Sequence, residues 1–215
     1  MNESAGASDQ LTPDAAFALL GNETRVAILR TLMEAMDEDH GAALSFSALR
    51  ERVGMRDSGQ FNYHLGKLVG TFVEHTDDGY RLRHAGFIVV AAILAGTYTR
   101  SGNADPVAID HPCPDCGGTL LATYAAERMT IACADCERRL SAASLPPGVL
   151  EGYDPAEYPQ VFDRWIRLLV EQARNGFCPA CSGRIERRVV GPETARVERS
   201  GLCLLYTSPS PRDGL

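Results

Sequence analysis

Residues 45–83 read SFSALRERVGMRDSGQFNYHLGKLVGTFVEHTDDGYRLR, and the fold of the chain turns on this stretch. Phe46, Leu49 and Val53, with Leu44 just ahead of them, recur at near-helical spacing, and Gly54 closes the segment. Arg56-Asp57-Ser58 then offers a turn and a helix cap, because short oxygen-bearing side chains accept the free amides of a first helical turn. In the next segment Phe61, Leu65 and Leu68 form one apolar stripe, which leaves Gln60, Tyr63 and Lys67 on the other sides. Residues 72–75 and 80–83 flank Thr76-Asp77-Asp78-Gly79, and Asp-Gly between two β-prone runs signals a hairpin. The expected order is helix, tight turn, helix, hairpin.

That order has the dimensions of a DNA reader. A major groove about 12 Å wide accepts one helix and lets its exposed polar side chains meet base edges. Gln60 and Asn62 suit adenine edges, and Lys67 suits guanine or a phosphate. Arg56, Ser58 and Tyr63 complete the candidate DNA-contacting set on the turn and helix, while Arg81 and Arg83 on the hairpin are placed to hold the backbone. The competing interpretation is a helical hairpin that packs only against a protein partner.

Upstream, residues 17–32 read FALLGNETRVAILRTL. Together with SFSALRERVG, DSGQFNYHLGKLVGTFVEH and TDDGYRLRHAG, they resemble the winged helix-turn-helix domain of ArsR-type transcription regulators. More narrowly, they are similar to a form found in salt-loving archaea, in which zinc ribbons follow the winged helix. The resemblance covers residues 14 to about 99 and extends more loosely to the cysteine pairs beyond. It implies a dimeric, sequence-specific regulator of transcription that binds double-stranded DNA, with no target gene or effector specified.

Composition fits this only in part. The 215 residues are 45% hydrophobic, as in an ordinary globular protein, but carry a net charge of −7, unusual for a chain that approaches phosphates. Lys67 is the only lysine, so the basic residues are nearly all arginine. An acidic, arginine-rich surface fits a cytoplasm of high salt, where repulsion is screened over a few Å; a GC-rich genome favours arginine as well. Residues 45–86 hold six cations against five anions, so the candidate DNA face is less acidic than the chain as a whole. The first ten residues lack a positive start and an apolar core, so no signal peptide is expected. The longest apolar run, residues 87–95, falls far short of the ~20 residues of a membrane span. The expected location is the cytoplasm, where paired cysteines read as metal ligands before disulfides.

Along the chain, residues 1–11 read as a flexible tail and residues 12–85 as the winged helix-turn-helix domain. Thr12-Pro13-Asp14 starts a first helix, and a second follows Gly21-Asn22-Glu23-Thr24 with Val26, Leu29, Leu32 or Met33, and Met36 as its inner stripe. Residues 37–40 read as an acidic loop. Residues 86–100 are apolar nearly all round and need a cover; the resemblance implies a dimerisation helix here, the alternative being packing on its own domain. Residues 101–110 read as a linker, 111–140 as a four-cysteine zinc ribbon and 141–157 as a second linker. Residues 158–175 form an amphipathic helix with Phe162, Trp165, Leu169 and Ala173 along one side. Residues 176–202 read as a truncated second ribbon.

All seven cysteines lie at or after residue 113. Cys113-Pro-Asp-Cys116 and Cys133-Ala-Asp-Cys136 are two C-x-x-C knuckles, each presenting two thiolates, and two knuckles complete a tetrahedron. Residues 119–123 and 128–132 read as the strands between them. The implied cofactor is a structural Zn2+, because four thiolates leave no coordination position for chemistry; redox dithiols and an iron site are the alternatives. Cys178-Pro-Ala-Cys181 looks like the first knuckle of a second, incomplete site. From Cys203 to Asp213 the sequence CLLYTSPSPRD resembles the in-frame translation of a transposon-based sequencing adaptor. Residues 203–215 are therefore expected to be an artefact, with the native chain departing from this sequence near Leu202.

The fold class expected is α+β, mainly α: a winged helix-turn-helix domain, a small zinc ribbon, a linking amphipathic helix and an incomplete second ribbon. Metal sensing by cysteines in the DNA-binding helices is disfavoured, since none lies there, and His64, His75 and His84 read as ordinary hydrogen-bonding residues. No phosphate loop, nucleophile elbow or zinc-hydrolase signature points to an enzyme. The alternative function is a protein- or RNA-interaction module that uses the same winged helix and ribbons without reading DNA sequence.

Overall fold

The computed structural model describes residues 11–38 and 43–185. It is α+β, with six α-helices and two antiparallel sheets among the described residues. The chain divides into two compact units, residues 1–94 and 95–215.

The first unit contains α1 (Pro13–Leu20), α2 (Glu23–Glu38), α3 (Phe46–Val53), α4 (Ser58–Leu68), β1 (Val73–Thr76), β2 (Gly79–Leu82) and α5 (His84–Leu94). Helix α3 begins where the Ser45 hydroxyl accepts the Ala48 amide at 3.2 Å. It stops at Gly54, whose left-handed backbone (φ 76°) turns its amide onto the Arg50 and Glu51 carbonyls. Helix α4 is capped by the Asp57 carboxylate, which accepts the Gln60 amide at 2.9 Å. Phe61, Leu65 and Leu68 of α4 enter a core with Leu49 of α3, and Phe61 meets Phe46 edge to face at 5.1 Å. The inner surface of α2 is wider than its expected stripe. Ile28, Leu29, Leu32 and Met33 are buried while Val26 and Met36 are half-buried, because α1, α3, α4, α5 and β2 all pack on this helix. Asp37 and Glu38, expected in a loop, end α2.

The hairpin pairs Thr76 with Gly79, which puts Asp77 and Asp78 at its tip and makes Gly79 the first residue of β2. Gly79 (φ 130°) is required for a reason other than the turn: a Cβ there would run into the carbonyl of Leu44. Leu44 and Tyr80 exchange both backbone hydrogen bonds, at 2.8 and 2.9 Å, so the segment before α3 is stitched to the hairpin. Helix α5 starts two residues before the expected 86 and ends at Leu94 rather than 100. Only Gly86 and Val90 of α5 are fully buried, and Phe87, Ile88 and Leu94 are 40%, 51% and 50% exposed.

The second unit is a four-stranded meander, β3 (Ala104–Pro112), β4 (Thr119–Ala125), β5 (Arg128–Cys133) and β6 (Arg139–Ser144), followed by α6 (Tyr158–Arg174). Residues 101–110, expected as a linker, hold most of β3. Small and turn-forming residues disguise it, and Pro106 is accommodated by a register shift between Ala104 and Val107 on this edge strand. Residues 141–157, also expected as a linker, hold the end of β6 and two 3-10 turns, Pro147–Leu150 and Pro155–Glu157. Strands β4 and β5 join through Ala126 and Glu127, both left-handed with φ 47° and 52°. One core gathers Tyr124, Met129, Leu145, Leu150, Val161 and Phe162, with Trp165 and Ile166 against it. The Tyr124 hydroxyl donates to the Leu145 carbonyl at 2.8 Å, and the Trp165 indole donates to the Ser144 carbonyl at 3.2 Å.

No helix among the described residues is long and apolar enough to cross a membrane. Residues 1–10, the 186–202 part of the expected second ribbon and the adaptor-like residues 203–215 lie outside the described residues.

Candidate metal centre and candidate nucleic-acid face

The metal centre grows from two loops that share one backbone path. In the first, the Cys113 amide donates to the Gly118 carbonyl and the Gly117 amide to the Cys113 carbonyl, both at 2.8 Å. Gly117, directly after Cys116, is left-handed with φ 75°. In the second, the Cys133 amide donates to the Arg138 carbonyl at 2.9 Å, and Glu137, directly after Cys136, is left-handed with φ 59°. Strand pairing sets the loops face to face, with Leu120 opposite Cys133. The four Sγ atoms of Cys113, Cys116, Cys133 and Cys136 all lie within 4.8 Å of one another. Cys113 and Cys136 approach to 3.8 Å, Cys116 and Cys133 to 3.5 Å. Cys113 and Cys133 are buried beside Leu120, whereas Cys116 and Cys136 face solvent.

The electrostatics of the cluster are uneven. The Cys136 amide, then that of Asp135, favours the Cys133 thiolate and brings its pKa down to about 7. The Asp135 amide lies 3.4 Å from the Cys133 sulfur. At Cys116 the Gly118 amide favours the thiolate, but sharing a proton with Cys136 and Cys133 outweighs it and pushes the pKa up to about 12. Cys136 is also raised; the Arg138 amide works against its thiol, and the neighbouring sulfurs prevail. The group therefore favours charge at Cys133 and the thiol form at Cys116 and Cys136. These four cysteines can hold a metal ion.

Two ties between the loops escaped the sequence reading. Asp135 Oδ2 accepts the Thr119 amide at 2.8 Å, and Asp115 forms an ion pair with Arg138. Gly118 must lack a side chain because a Cβ would strike the Asp135 carboxylate. The available signal was an Asp immediately before the second cysteine of both knuckles, Asp115 and Asp135.

The structure places Cys178 and Cys181 just after α6, apart from the four-cysteine group. Among the described residues no other set of three or more ligand-type side chains converges, so His64, His75 and His84 form no cluster. His64 departs from its expected hydrogen-bonding role: it is buried on α4 and its Nδ1 has no partner. His75 stacks on Tyr80 with ring centres 4.3 Å apart.

On the first unit, Gln60, Asn62, Tyr63 and Lys67 are all exposed on α4, Tyr63 to 59%. The Lys67 ammonium lies 5.6 Å from the centre of the Tyr63 ring, one turn away on the same face. Arg56 and Ser58 are exposed where the turn enters α4. A shallow cavity of about 450 Å³ opens there, lined by Glu23, Thr24, Met55, Arg56, Asp57 and Gln60. Arg83 is exposed at the end of the hairpin. Arg81 is engaged within it: its Nε donates to Glu74 at 2.9 Å, and that bond holds the Glu74 carboxyl below its ordinary pKa.

No curated protein matches the chain. Two domain families match it in succession: residues 13–93 match a domain of unknown function (DUF7347), and residues 110–204 match a second domain of unknown function (DUF7351).

Proposed function

We propose that this protein is a dimeric, sequence-specific DNA-binding regulator of transcription, resembling the ArsR type, in which a winged helix-turn-helix reads the duplex and a structural zinc ribbon follows. The observation that carries the reading is the two-sidedness of α4. Phe61, Leu65 and Leu68 are committed to the core while Gln60, Asn62, Tyr63 and Lys67 share the exposed side. An 11-residue helix capped at Asp57 is about 16 Å long, enough to lie in a major groove and offer amide and ammonium groups to base edges. Arg83, exposed directly after the hairpin, is the candidate backbone contact. The exposed apolar residues Phe87, Ile88 and Leu94 of α5 support a two-fold partner, which would set two α4 helices on half-sites one DNA turn apart.

Zinc is the ion proposed for the second unit. A tetrahedral Zn2+ with thiolates at about 2.3 Å requires sulfurs about 3.8 Å apart. Two of the six separations, 3.5 and 3.8 Å, lie near that spacing, and all four sulfurs lie within 4.8 Å of one another. Four protein ligands close the coordination shell, so the ion braces the fold and takes no part in a reaction.

Fluorescence anisotropy against duplexes selected from genomic fragments, in molar KCl, tests the reading. Binding that survives salt and is lost in a Gln60/Tyr63/Lys67→Ala variant is the expected result, because contacts made only to phosphates fade steeply as salt rises. Absence of binding by folded, metal-loaded protein would replace this function with a protein- or RNA-interaction module.

A further inference from the structure

We infer that Cys178 and Cys181 hold a second thiophilic metal ion, distinct from the one at the four-cysteine cluster. The inference is independent of whether α4 reads DNA.

The loop from Cys178 to Gly183 repeats the backbone of the first knuckle bond for bond. The Cys178 amide donates to the Gly183 carbonyl at 2.8 Å, as Cys113 does to Gly118, and the Ser182 amide returns to the Cys178 carbonyl at 2.7 Å, as Gly117 does to Cys113. The residue after the second cysteine is left-handed in all three loops, with φ 75° at Gly117, 59° at Glu137 and 57° at Ser182. The burial pattern is shared too: Cys178 is 2% exposed, like Cys113 at 2% and Cys133 at 3%, and each second cysteine faces solvent. Phe177 pairs with Arg184 to close the base of the loop. Gly183 leaves room for the Cys181 sulfur, which would sit 3.2 Å from a Cβ at that position.

A tight loop built this way has a cost. Ser182 has no steric excuse for a left-handed backbone, and such a residue persists where its surroundings require it. In the first two loops the requirement is plain, since four sulfurs converge on one point. The third reproduces the geometry without a facing knuckle among the described residues. The consistent account is a loop shaped to present two thiolates to a soft cation, Zn2+ being the ordinary occupant and Co2+ a faithful probe.

The differences define its character. Two cysteines supply half a tetrahedral shell, so two positions are filled by donors outside the four-cysteine site. The clasping Asp of the other two knuckles is Ala180 here, so no carboxylate reaches across to a second loop.

The test is a Co2+ titration of the reduced full chain carrying Cys203→Ser, which removes the one remaining thiol. It is run beside the same chain with Cys178→Ser and Cys181→Ser. Thiolate-to-metal charge-transfer absorbance should continue to grow beyond one equivalent in the first protein and stop at one in the second. A stoichiometry of two per chain, or of one and a half where two copies share the third ion through paired knuckles, supports the site. One equivalent in both proteins overturns it, as does more than one in both. Failure of both proteins to bind any Co2+ would overturn the four-cysteine centre as well. Unchanged Trp165 emission in the double variant verifies that the packed core of the unit remains folded, and its single equivalent of Co2+ that the four-cysteine loops do.

Discussion

Asp135 accepts the Thr119 amide through Oδ2 at 2.8 Å, tying the second cysteine knuckle to the strand that leaves the first. The same carboxylate fills the space a side chain at Gly118 would occupy. Hydrogen-bonding partners that orient metal ligands typically matter 10–100-fold in affinity. Asp135→Ala should therefore weaken metal binding by about tenfold. Asp135→Asn, which keeps an accepting oxygen, should lose much less. Competition with a chromogenic chelator measures both, and equal affinities for wild type and Asp135→Ala would remove this residue from the site. Gly118→Ala should behave like Asp135→Ala, because it displaces the same carboxylate.

Metal binding should release protons. Cys116, pushed up to about 12, and Cys136, also raised, are thiols at neutral pH and must become thiolates when an ion enters. The bound state carries fewer protons than the free state, so affinity rises with pH and falls with acid. Cys133, near 7, adds its own proton as pH drops through that value. Calorimetric titrations in buffers of different ionisation enthalpy should give at least about two protons released per ion at pH 7. An enthalpy independent of buffer would contradict this.

On the proposed DNA-reading function, Arg81 is a restrained contact. Its guanidinium is committed to Glu74, and both side chains are 47% exposed. Glu74→Gln should free it for a phosphate, tightening binding and steepening the dependence on log salt by about one unit. Protonation of Glu74 has the same effect. Its pKa is lowered, so the pair persists through the ordinary carboxylate range and is lost only as pH falls below it. A salt titration of the Glu74→Gln variant with unchanged slope would place Arg81 away from the duplex.

The β4–β5 turn contains removable strain. Ala126 and Glu127 both adopt left-handed backbones, a conformation suited to Asn and Gly in two-residue hairpin loops. Ala126→Asn with Glu127→Gly should raise stability by roughly 1 kcal/mol, read as a higher denaturant midpoint at unchanged slope. A lower midpoint would show that this turn is held by its neighbours, among them Asn103, whose Oδ1 accepts the Ala126 amide at 3.2 Å.

Helix α5 is the proposed seam of the dimer. Ile88 is 51% exposed, so Ile88→Glu should leave the first unit folded while shifting the chain from dimer to monomer in sedimentation velocity. A dimer that survives this change is built on another surface.

The features legible in the sequence are those whose partners lie a few residues apart. The Asp57 cap, the Gly54 stop, the Phe61–Leu65–Leu68 stripe and the C-x-x-C knuckles all follow from local chemistry. So does the exposure of Gln60, Tyr63 and Lys67. The features that were missed depend on distant strands. Gly79 looks like a turn residue until Leu44 is seen crossing it, and β3 looks like a linker until β4 pairs with it. Val26 and Met36 fit a single stripe on α2, but a helix surrounded on several sides buries a broader arc. The bond from Thr119 to Asp135 joins residues in separate loops, and only the repeated Asp before the second cysteine hinted at it. His64 is the reverse case: an imidazole expected to hydrogen-bond lies buried with Nδ1 unpartnered, which no local pattern announces.

The indole of Trp165, the only tryptophan, rests on the Ser144 carbonyl beside Phe162 and Tyr124, not beside the thiolates. The second unit thereby carries a built-in reporter for one of its two supports. Stripping the ion should fray the cysteine loops and leave the emission almost unchanged, while urea should shift it to the red. A single fluorescence trace followed through both treatments would separate the part of this unit that oil-like packing sustains from the part that an ion sustains.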